Sequence, residues 1–165
     1  MGRKEGFTLV ELLVVIAIIA ILAGGLMIAI NPQSIMQKSR DSTRMRDMTN
    51  LRDAINIAIT EGQLTLADTT GCATCTSTTG TQAVDGSGWV ALGTGSLAQY
   101  VPALPIDPTN VAPLEYAFAS DGQNFEFDCV LEHPDNQTSM GTDGGNEAGV
   151  YEVGTDLYLL GVGTT

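Results

Sequence analysis

The chain has 165 residues, 44% of them apolar and 16% charged, with 19 acidic against 7 basic side chains and a formal net charge of −12. All seven Lys and Arg lie at or before Arg52 and fifteen acidic residues follow from Asp53 onward, which excludes nucleic-acid binding through a basic patch, because phosphate affinity rests on Lys and Arg. One histidine and carboxylates scattered through turns give no nucleophile and base spacing, so an enzyme is not expected.

The N-terminus opens with a basic tip, Met1-Gly2-Arg3-Lys4-Glu5-Gly6, then Phe7-Thr8-Leu9-Val10-Glu11, then nineteen residues from Leu12 to Ile30 without a polar side chain. A helix over residues 7–30 would be about 36 Å long against a hydrocarbon core of about 30 Å, so it can span a membrane. Glu11 is out of place there, since a mid-bilayer charge costs roughly 2.5 to 3.5 kcal/mol or more. A secretory signal would carry its small-residue cleavage site after the apolar run. Here the small residue, Gly6, comes before it, so cleavage would leave the helix on the product. An uncleaved anchor whose Glu11 snorkels to the headgroups is the competing reading. Lys38, Arg40, Arg44, Arg46 and Arg52 follow the span and, counted mechanically, would hold the C-terminal side in the cytoplasm. They interleave with Asp41, Asp47 and Asp53, and large domains translocate largely regardless of charge, so the head is placed outside.

Asn31-Pro32 interrupts the apolar run and predicts a kink or a restart. Met45, Met48, Leu51, Ile55, Ala58 and Ile59 recur at three- and four-residue steps, predicting an amphipathic helix to about Glu61 with Gly62 as its C-terminal cap. Residues 65–88, rich in Thr, Gly and Ser, read as a long loop. Cys72, Cys75 and Cys129 are disulfide candidates, with one left over. Cys72-Ala73-Thr74-Cys75 has redox-motif spacing but lies in a Thr- and Gly-rich stretch rather than at a strand-to-helix junction. The sharper alternative is zinc held by the three cysteines and His133, which otherwise reads as a surface residue. Leu97 to Val101 suggests a helical turn, followed by a stiff connector containing Pro102, Pro105 and Pro108. Glu115 to Ala119, the turn Ser120-Asp121-Gly122-Gln123 and Asn124 to Leu131 predict a hairpin. A third strand is expected around Asp156 to Leu160. The fold class is α+β: a long N-terminal helix, half apolar and half amphipathic, packed on a small antiparallel sheet as a roll.

Gly6-Phe7-Thr8-Leu9-Val10-Glu11-Leu12 resembles the processing site of type IV pilins and type II secretion pseudopilins. The resemblance implies three parts: a leader over residues 1–6, a membrane and filament-core helix over 7–30, and a pilin-like head over 31–165. It implies cleavage after Gly6 and methylation of Phe7 by a prepilin peptidase, and it gives Glu11 the role of partner to a neighbouring subunit's N-terminal amine. It further implies an inner-membrane assembly platform, a single-pass membrane stage with the head outside the cytoplasm, and a helical homo-oligomeric filament, periplasmic or on the cell surface. Tyr100 through Pro108 with Tyr116 is similar to the Leu-Pro-x-Asp-Pro and following Tyr of major pseudopilins. Those proteins bind calcium in a C-terminal loop, so Asp143, Asn146 and Glu147 are the candidate calcium residues. In such a filament Arg40, Arg44, Arg46 and Arg52 would pair with acidic heads of neighbours, and high salt would loosen it. A monomeric membrane-anchored binding domain is the alternative function.

Overall fold

A computed structural model describes residues 6–72 and 75–160, and of Ile28 and Ala29 the backbone. The leader expected over 1–6 therefore lies outside the described residues except for Gly6. Contacts divide the chain into two compact units, one running to Met36 and one from Gln37 onward.

In the first unit α1 spans Leu9–Ile30. Thr8 is its N-cap: the hydroxyl accepts from the Glu11 amide at 3.2 Å, and the Glu11 side chain returns to the Thr8 amide at 2.8 Å. This reciprocal capping box satisfies two donors that a helix start otherwise leaves open. The apolar side chains are exposed, from Leu9 at 79% to Met27 at 70%, and Leu9–Met27 is long and apolar enough to cross a membrane. The helix ends at Asn31, whose φ of 41° is left-handed. α2, Pro32–Thr60, begins with Pro32 as its first residue. The interruption is thus a restart, because proline lacks the amide that a first-turn position does not need.

In the second unit the later part of α2 presents Met48, Leu51, Ile55 and Ala58 to a core that includes Trp89, Leu97, Tyr116, Phe118, Phe125 and Phe127. α2 ends as its spacing predicts. Gly62 lies at φ 69°, its amide donates to Ile59 O at 3.0 Å, and the Gln63 amide donates to Ala58 O at 2.9 Å, which is the Schellman pairing.

Three strands follow, β1 (Tyr116–Ser120), β2 (Phe125–Cys129) and β3 (Tyr151–Gly154), antiparallel in the order β1-β2-β3. Between β2 and β3 lie a 3-10 turn, Pro134–Asn136, and the short α3, Gln137–Met140, neither of which the sequence signals. The hairpin falls where Asp121-Gly122 places it, with Phe118 opposite Phe127 and Ser120 opposite Phe125. The third strand is a correction: it forms at Tyr151–Gly154 rather than around Asp156 to Leu160. The apolar run of Leu157, Leu159 and Leu160 attracts the strand assignment, but the Leu159 and Leu160 amides donate to the Glu126 side chain, so they are not available to a ladder.

The loop over 65–88 protects the free edge of β1. Thr69 N donates to Ser120 O at 3.0 Å, Phe118 N to Cys75 O at 2.8 Å and Ser77 N to Tyr116 O at 2.9 Å. An edge strand with unpaired backbone invites aggregation, and this loop closes it. Trp89 fills the centre, 5.9 Å from Phe127 and 6.1 Å from Tyr116 between ring centroids, with its indole N–H donating to Pro105 O at 2.9 Å. The expected helical turn is present at Leu97, whose carbonyl accepts from Tyr100 N and Val101 N.

Candidate functional site

At the N-terminus Phe7 is 88% exposed and Glu11 sits in the first turn of α1. The Thr8 amide and hydroxyl both donate to Glu11 Oε2, at 2.8 and 2.7 Å. The carboxylate in the apolar run is therefore anchored to its own helix start through one oxygen, and the capping box places that oxygen back toward residues 7 and 8.

The second unit holds a charge cluster that ties α2 to two later segments of the chain. Arg44, on α2, is fully buried. Its Nε and Nη2 meet the two Asp107 oxygens at 2.5 and 2.9 Å, and its Nη1 meets Asp41 at 3.0 Å and Glu132 at 2.7 Å. Arg40 adds a second two-point pairing to Glu132, at 2.7 and 2.5 Å. Asp41 also accepts from the amides of Glu132 and His133 and from Asn136 Nδ2. Hydrogen bonds from Arg40, followed by those from Arg44, hold the Glu132 carboxyl down at about 2. Arg40 and Arg44 are thus committed within their own chain, a correction to the expectation that they reach neighbouring heads. The Asp107 of the proline connector is the anchor of this cluster, and Tyr116 OH donates to Asp47 at 3.0 Å. His133 is a second correction: it is buried rather than a surface residue, and its Nδ1 accepts from Asp135 N at 3.1 Å as the cap of the 3-10 turn.

Cys72 and Cys75 form a disulfide, while Cys129 is a free thiol buried in β2. The zinc alternative accordingly finds its four candidates dispersed: two sulfurs bonded to each other, one in the core, and His133 engaged as a cap.

The candidate calcium residues gather around Glu152. Asn146 N and Glu147 N donate to Glu152 Oε1 and Oε2, at 3.2 and 3.1 Å, and Asp143 Oδ2 accepts from Glu152 N at 2.9 Å. Gly145 passes so close that an added Cβ would fall inside the Glu152 carboxylate. Beneath this loop, Glu126, Asp128 and Glu152 each bring one oxygen within 4.8 Å of the others. Sequence reasoning missed these three, because Glu126 and Asp128 alternate with Phe125, Phe127 and Cys129 and so read as a solvent face. Burial, followed by the neighbouring Glu126 and Glu152 charges, pushes the Asp128 carboxyl up to about 9. Burial likewise raises Glu126, against the lowering effect of the Leu160 amide.

Residues 1–27 match the prokaryotic N-terminal methylation motif, the prepilin-type cleavage and methylation motif of type IV pilins and pseudopilins. No curated protein and no solved structure matches the chain. The N-terminus is a prepilin-type processing segment joined to an apolar helix suited to membrane anchoring.

Proposed function

We propose that the protein is a structural subunit of a type IV pilus-like or type II secretion pseudopilus filament. Prepilin peptidase cuts after Gly6 and methylates the Phe7 amine. Residues 7–30 then hold the subunit in the cytoplasmic membrane with the head outside, until an assembly platform draws it into the filament. The observation that carries this reading is the methylation motif on a helix whose described apolar side chains are exposed. An exposed apolar surface of that extent needs a cover, first lipid and then the helices of neighbouring subunits. Glu11 supplies selectivity: Oε2 is bonded to Thr8, and on this reading Oε1 receives the new amine of an adjacent subunit. Such a pairing offsets the cost of a buried charge.

Intact-mass and N-terminal analysis of the protein from its native membrane tests the reading. A chain starting at methylated Phe7 is expected, together with filaments in the wild type and none in Glu11→Ala. An intact Met1 start in a peptidase-competent cell would sink it in favour of a monomeric anchored domain. The proline connector and Tyr116 favour the pseudopilus form, which predicts short filaments under the electron microscope.

A further inference from the structure

The sheet has one aromatic face and one carboxylate face, and both are covered. On β2 the side chains of Phe125, Phe127 and Cys129 enter the core, so the alternation of a strand turns Glu126 and Asp128 to the opposite side. Asp128 lies directly across from Glu152 on β3, where like charges repel. Solvent does not relieve them: Glu126 is 0%, Glu152 2% and Asp128 9% exposed.

Backbone donors satisfy only part of this cluster. Glu126 Oε2 accepts from Leu159 N and Leu160 N at 2.7 and 2.6 Å, and Glu152 accepts from Asn146 N and Glu147 N. Glu126 Oε1, Asp128 Oδ1 and Glu147 Oε1 are left buried without a hydrogen-bond partner. Arg52, which lines a groove with Asp143 and Glu152, gives its guanidinium to Asp53 at 3.0 and 2.9 Å. Buried polar atoms are nearly always paired, and buried charges are paired or coordinate metals.

We propose that Glu126, Asp128 and Glu152 bind a hard divalent cation of the calcium class on the carboxylate face of the sheet. Carboxylate oxygens with no imidazole or thiolate among them suit calcium, magnesium or manganese. The site differs in its ligands from a loop site at Asp143, Asn146 and Glu147. The loop positions Glu152 through backbone amides, and the strands supply the metal-binding oxygens. This inference stands apart from the filament reading, since it concerns the head of a single chain.

The test uses the full-length protein in detergent, stripped with chelator, then titrated with calcium, magnesium and manganese chlorides while heat of binding and melting temperature are followed. Saturable binding of one cation and a rise in melting temperature are expected. The paired substitution Glu126→Gln and Asp128→Asn removes the repulsion without changing shape, so it should fold and melt at or above the cation-free wild type while binding at least tenfold more weakly. Asn146→Ala keeps its backbone amide and should retain binding, whereas a loop site centred on Asn146 would lose it. Three results would each overturn the proposal: no saturable binding at millimolar cation, binding undiminished in the double variant, or binding abolished by Asn146→Ala with the double variant intact.

Discussion

The Arg44 guanidinium joins α2, the proline connector and the segment after β2. Removing it leaves Asp41 and Asp107 buried and charged without their cation, and breaking a buried pair in this way costs roughly 3 to 5 kcal/mol. Arg44→Met should therefore lower the free energy of unfolding in denaturant by about that amount, and a loss under 1 kcal/mol would show that water reaches the cluster. Glu132 gives the same cluster its pH response. Its folded value is held at about 2 against an ordinary 4.5. A carboxyl depressed on folding contributes stability that is complete above its ordinary value and lost as pH falls toward the folded one. Acid unfolding should show this loss between those limits, and Glu132→Gln should flatten it. None of this was visible in the sequence, where Arg44 among Lys38, Arg40 and Arg46 looks like one more solvated charge. Burial of an arginine is decided by partners 63 and 88 residues away.

Elements whose signals are local were the legible ones. The apolar period, the proline restart, the Asp-Gly turn and the glycine cap are each written within a few neighbouring residues. Gly62 illustrates the point: nothing lies within 4 Å of an added Cβ, so Gly62→Ala meets no clash and only the left-handed backbone opposes it. Its cost should be about 1 kcal/mol in thermal or chemical unfolding, and an unchanged stability would mean that α2 frays before the cap matters. β3 was not legible because the local rule misdirects there. Tyr151-Glu152-Val153-Gly154 has a buried carboxylate where a half-exposed strand should have a solvated one, and the richer apolar run after it closes over Glu126 instead. The candidate site was missed for the same reason: Glu126 and Asp128 alternate correctly for a strand, but the chain's own later residues cover the side that alternation assigns to water.

Across the molecule the charge is split, with the basic residues confined to the N-terminal third and net −12 overall. On the filament reading, with Arg40 and Arg44 matched within the chain, packed heads would face one another with a surplus of negative charge. At about 0.1 M salt the screening length is about 10 Å, so added salt should weaken head-to-head repulsion. On the filament reading, the subunit concentration needed for assembly is expected to fall as salt rises from 50 to 500 mM, about a tenfold change that shortens the screening length roughly threefold. A rise would point to ion pairs between heads, with Arg46 the first candidate to carry them. The close approach of Gly145 to Glu152 has a consequence for descent rather than for stability. A larger residue at that position requires the Glu152 carboxylate to move off the amides it accepts from, so the two positions are coupled. Relatives that replace Gly145 with a larger residue should carry a shorter side chain at position 152 or hold its carboxylate elsewhere.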